Sequence, residues 1–186
     1  MTESAAAPWP EPPLAGTEAA AVLGALERRR ATLAWKCSGL DAAGLRATLG
    51  TSAITLGGLL KHLAHVEDRH FARLWCGTLV GAPWDAVDRE SDPDWDHRSA
   101  ADDTPEQLLA LWRESVARSR AVVAEALGEG GLDQLGASTT RSGERPNLRR
   151  VLLDLVEEYA RHAGHADLIR ESVDGLTGED PPRWTW

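Results

Sequence analysis

A chain of 186 residues with 42% apolar residues and a formal net charge of −9 is sized for one packed core. Its basic residues are scattered arginines with only two lysines, which argues against a nucleic-acid partner, because phosphate backbones are held by clustered Lys and Arg. No apolar run approaches the roughly 18–20 residues needed to span a bilayer, and the opening MTESAAAPWPEPPLAG lacks the basic start and apolar segment of a secretory signal, so a cytoplasmic protein is expected. Cys37 and Cys76 stand outside any paired motif and read as two semi-buried thiols.

Four prolines within residues 1–15 (Pro8, Pro10, Pro12 and Pro13) favour an extended, flexible tail, with a single helical domain expected over 16–186. From Thr17 to Lys36 the pattern turns helical, Val22, Leu23, Leu26 and Leu33 forming one side and Arg28, Arg29 and Arg30 the other. A glycine-broken connector follows, with a short helical turn at Asp41–Ala47. Thr55 then caps a second helix, LGGLLKHLAHVEDRHFARLW, striped by Leu56, Leu59, Leu60, Leu63, Val66 and Leu74.

Residues 77–103 form a long acidic segment with Trp84 and Trp95, expected to be either a lid or disordered. Its DPDWDH resembles the start of a calcium-binding EF-hand loop, but Pro93, His97 and Asp103 break that pattern. The third helix opens on a capping box, Thr104 with Gln107, and Pro105 at its first position; Leu108, Trp112, Val116, Val123 and Leu127 supply its buried side. After a second glycine-rich connector the fourth helix runs from Asn147 to about Asp174 and stops at Gly175. Four amphipathic helices without β-type alternation predict an all-α four-helix bundle with long connecting loops.

The chemistry points to the fourth helix. Val151, Leu155, Glu158, His162, His165, Ile169 and Val173 fall on one face at 100° per residue, so three polar residues interrupt an apolar stripe. Burying a carboxylate beside imidazoles is costly unless they pair or share a cation, and the four-residue spacing of Glu158 and His162 aims both at one point. A plain Glu–His hydrogen bond is the alternative. A partner helix must supply further ligands, and the second offers His62, His65 and His70. The helical wheel places His70 in the stripe, His62 at its flank and His65 opposite it.

At these residues LGGLLKHLAHVEDRHF and LRRVLLDLVEEYARHAGHADLIRESVDGLTGE resemble the DinB-like metalloprotein superfamily over about Thr17–Glu179. The likeness is closest to the subgroup related to mycothiol-dependent maleylpyruvate isomerase and to mycothiol or bacillithiol S-transferases. That resemblance implies His62, Glu158 and His162 as ligands of a divalent metal. Zinc suits the set best, and Ni, Mn or Fe also accept it. His165 takes a place often held by Gln, which implies an outer residue hydrogen-bonded to a ligand, or an alternative fourth ligand. The isomerases carry a further C-terminal domain with no counterpart in this sequence, so maleylpyruvate itself is not implied.

The activity implied is transfer or isomerisation through a metal-activated thiolate, with mycothiol as a cosubstrate; metal-assisted hydrolysis and a non-enzymatic metal-dependent sensor are the alternatives. Arg69, Arg161 and Arg170 are candidates for steering an anionic substrate, and the expected assembly is a monomer or homodimer. The tryptophans, Trp75, Trp84, Trp95, Trp184 and Trp186 among them, are expected to pack the core or line the cleft.

Overall fold

In the computed structural model, residues 9–181 are described. The elements are α1 (Glu18–Cys37), α2 (Ala42–Arg46), α3 (Leu56–Asp68), α4 (Trp95–Ser99), α5 (Pro105–Glu129) and α6 (Leu148–Asp174), and no strand occurs among the described residues. Helices α1, α3, α5 and α6 make the bundle, α1 packing most extensively on α6 and α3 on α5. The helix starts follow from their caps. Thr17 accepts from the Ala20 N–H at 3.2 Å, Thr55 from Gly58 at 3.0 Å and Asn147 from Arg150 at 2.9 Å, each satisfying a donor the first turn leaves open. The Thr104–Gln107 capping box is present on α5, and Gly175 ends α6 at φ 76°, a left-handed conformation that suits glycine.

Leu26, Leu59, Leu60, Leu63, Leu152 and Leu155 are completely buried. Each contributes about 1.5–3 kcal/mol by leaving water. Two features depart from the simple bundle. The second helix continues past Asp68 as a π-helical stretch, Arg69–Trp75, in which the Cys76 N–H reaches back to the Phe71 carbonyl at 2.9 Å. Arg30, expected on the solvent side of α1, is 2% exposed instead. Its guanidinium donates to both oxygens of Glu67 at 2.8 and 2.7 Å, and the Tyr159 hydroxyl donates to the same carboxylate at 2.8 Å while accepting from the Trp112 indole at 2.8 Å. A charge can be buried on α1 because α3 and α6 deliver its partners to the same place.

The 77–103 segment is folded onto α3 and α5. Trp84 is 3% exposed and its indole N–H donates to Asp68 at 2.9 Å, a carboxylate that also receives Ser115 and Arg118. Lys61 bonds Asp103 at 2.6 Å and sits 4.6 Å above the Trp95 ring, tying down α4 from the α3 side. The approach is close: a Cβ on Gly58 would lie 2.8 Å from His97 Nδ1 and 3.2 Å from His97 Cα. Because this segment covers it, His65 is buried although the wheel put it opposite the apolar stripe.

Trp75 also joins the core. Of the expected tail, residues 1–8 lie outside the described residues, as do Trp184 and Trp186. Trp9 stands edge-on to Trp35 of α1 at 6.5 Å. No helix among the described residues is long and apolar enough to cross a membrane.

Candidate metal centre

The structure brings His62 of α3 together with Glu158 and His162 of α6, one donor atom of each lying within 4.8 Å of the others. His162 Nε2 is already 3.4 Å from Glu158 Oε2. Donors around a tetrahedral ion with bonds of about 2.0–2.2 Å stand roughly 3.3–3.6 Å apart, so the α6 pair has that spacing and His62 closes by a small side-chain movement. Glu158, whose side chain is 41% exposed, is the member free to adjust.

Each imidazole turns its other nitrogen outward to a neighbour. His62 Nδ1 faces Asp96 Oδ2 at 3.4 Å, and His162 Nδ1 faces His165 Nδ1 at 3.3 Å. His165 therefore stands behind His162, in the position of an outer residue. Asp96 is only 2% exposed and is gripped by Arg89 through both oxygens, at 2.6 and 3.1 Å, with His65 Nδ1 a further 3.3 Å away. Burial alone would raise its pKa, but the hydrogen bonds from His62, His65 and Arg89 hold the carboxyl well below the usual range. Asp96 is thus a fixed anion aimed at the outer edge of His62, the arrangement that orients a ligating imidazole.

Histidine crowds this end of the bundle. His97 stacks on His62 at 5.1 Å between centroids and 20° between planes, and His62 meets His162 edge-on at 4.9 Å. Burial, reinforced by His62, His165, His97 and Arg161, pushes His162 down to about 3. Burial and then His62 lower His97 as well. His97 Nδ1 is buried without a hydrogen-bond partner. An imidazole such as that of His162, kept from protonation by burial and set beside a carboxylate, is the donor chemistry a divalent cation accepts.

The remaining candidates fall elsewhere. His70, preferred by the wheel, is a core residue with Nδ1 2.7 Å from the Val66 carbonyl oxygen, and burial lowers its pKa. Arg170 holds structure: it donates to the carbonyls of Lys36 and Ser38 at 2.9 and 2.7 Å and to Asp174. Arg161 is exposed on α6, and Arg69 lies on the wall of a separate cavity. Cys37 is wholly buried and its thiol is pushed up to about 12 by burial, whereas Cys76 is exposed, not semi-buried, with its thiol raised by partial burial and Glu125.

Sequence reasoning missed Asp96, Arg89 and His97. The only signal for Asp96 and His97 was the acid- and histidine-bearing DPDWDH stretch, which has no helical period to give it an address, and Arg89 just before it carried none.

A helical bundle with an interhelical His, Glu, His cluster is the architecture of a DinB-like protein. Residues 21–175 match the profile of the family described as Mycothiol-S-transferase. The match spans most of the chain, and the protein belongs to that family, within the DinB-like superfamily. No curated protein matches the chain.

Proposed function

We propose that the protein is a divalent-metal-dependent S-transferase that joins the sulfur of a mycothiol-type thiol to an electrophilic small molecule. The observation carrying this reading is the convergence of His62, Glu158 and His162 in a chain of the mycothiol S-transferase family. His62, Glu158 and His162 would hold the ion, and three protein ligands leave a coordination position for substrate, as in catalytic zinc sites. When bound, the ion supplies Lewis-acid chemistry that eases proton loss from a thiol whose free pKa is about 8.5.

The chain's own residues prepare that chemistry. Asp96, clamped by Arg89, fixes the His62 ring so that its second nitrogen points inward. His97 stacks on one face of that ring, keeping water from it. Half-exposed Glu158 leaves the cluster open toward solvent, the side from which a thiol would arrive. Both cysteines are held as neutral thiols, so the nucleophilic sulfur has to arrive with a cosubstrate.

The test is turnover of metal-loaded protein with mycothiol, glutathione or buffer alone against a reporter electrophile such as a bromobimane. Conjugation with mycothiol that is lost in His162→Ala, with helical content unchanged, is the expected outcome. Equal rates in the variant, or hydrolysis with no thiol consumed, would contradict the reading.

A further inference from the structure

Behind the Asp96 clamp lies a cavity of about 280 Å³, between the π-helical continuation of α3 and the loop that carries Trp84. It lies just under the roughly 300–1,000 Å³ usual for small-molecule sites. Its walls are divided by chemistry. Arg69 and Arg73 stand on one side, and Val80, Trp84 and Val87 give the apolar part. His65 and Arg89 form the side nearest the metal ligands, and both are already engaged with Asp96.

The backbone explains why the two arginines act together. In the π-helical stretch the hydrogen bonds skip five residues, which widens the turn and stacks side chains four to five apart along one line. Arg69 and Arg73 therefore lean over the same opening. Among the described residues neither has an ion-pair partner, in contrast to Arg30, Arg89, Arg118, Arg149 and Arg170, each of which grips a carboxylate. The one acid on the cavity wall, Asp85, accepts the Gly81 N–H at 2.8 Å and so is turned to its own loop.

Two guanidiniums without counter-charges beside an aromatic and aliphatic wall suit a planar carboxylate on a compact apolar body. The geometry points to this cavity as a binding site for a small organic acid, its carboxylate held by Arg69 and Arg73 and its apolar part set against Trp84 and Val80. Asp96 stands between the cavity and the metal cluster, facing His65 of the cavity wall on one side and His62 on the other. The binding site rests on the cavity's own lining and is independent of the S-transfer reading above.

Calorimetric titration of the metal-depleted protein with benzoate, benzamide and inorganic phosphate tests the site. Saturable one-to-one benzoate binding is expected, with benzamide and phosphate each at least about tenfold weaker. Arg69→Ala and Arg73→Ala each weaken benzoate by about tenfold. The exposed Arg113→Ala and the metal-site variant Glu158→Ala leave it unchanged. Absence of saturable binding, phosphate binding as tightly as benzoate, or affinity untouched in the Arg69/Arg73 double variant overturns the proposal. If benzoate still binds but no thiol is transferred to any electrophile, the S-transfer reading falls and the acid site stands.

Discussion

Two polar clusters are built between the same helices, α3 and α6, and they are finished in opposite ways. In the first, Arg30, Glu67, Tyr159 and Trp112, with Glu27 at the edge, form a closed set: each buried donor meets an acceptor, and Arg30 is matched by the carboxylates of Glu67 and Glu27. In the second, His62, His162, His165 and His97 crowd around Glu158 with their rings against one another, and their mutual repulsion as cations helps keep His162 and His97 neutral. Adjacent residues of α6 serve the two clusters, Tyr159 the closed one and Glu158 the open one. A closed network supports the fold, whereas the histidine cluster with Glu158 has the donor set on which the proposed metal site rests.

The sharpest break between them is thermodynamic. Arg30→Ala leaves the fully buried Glu67 without its cation and is expected to destabilise the fold by about 3–5 kcal/mol in denaturant melts. His162→Leu should show the reverse pattern, with the metal-free protein no less stable than wild type, because a desolvated imidazole is removed from an apolar face. Metal at a hundredfold excess over its Kd should raise wild-type stability by about 2.7 kcal/mol and leave His162→Leu unmoved.

A smaller effect isolates the outer residue. Asp96→Asn keeps the shape but removes the anion facing His62, and metal affinity should fall about 10–100-fold while far-UV circular dichroism stays the same. Unchanged affinity would make Asp96 only a tether for the covering segment. The smallest effect concerns His70, a core histidine that belongs to neither cluster. Its folded pKa lies below 6.5, so the unfolded chain binds the proton more readily and stability is lost as pH falls below about 6.5, down to the lowered folded value. His70→Gln should flatten that loss, read from urea midpoints at pH values above and below 6.5.

Much of this was legible in the sequence because helices advertise themselves. The caps Thr17, Thr55, Thr104 and Asn147 and the stop at Gly175 mark the bundle helices, since each answers a backbone need local to a few residues. The α6 stripe likewise put Glu158 and His162 on one face, as a single helical period fixes their direction, but only His162 is buried and Glu158 stays half-exposed at its edge. Contacts that depend on a second element were not legible. Arg30 looked like a solvated charge because Glu67 and Tyr159 lie far along the chain. On a wheel His65 and His70 differ clearly, but the wheel omits the 77–103 segment that buries His65 and supplies Asp96. The choice of His62 came from family resemblance, and in the structure one of its donor atoms lies within 4.8 Å of donors on Glu158 and His162.

The most direct test of the central claim is elemental analysis of the purified protein, wild type beside Glu158→Ala, after dialysis against metal-free buffer. The account predicts close to one divalent ion per wild-type chain and a large loss in the variant. An equal metal content in both proteins, or none in wild type after incubation with Zn²⁺, would contradict it.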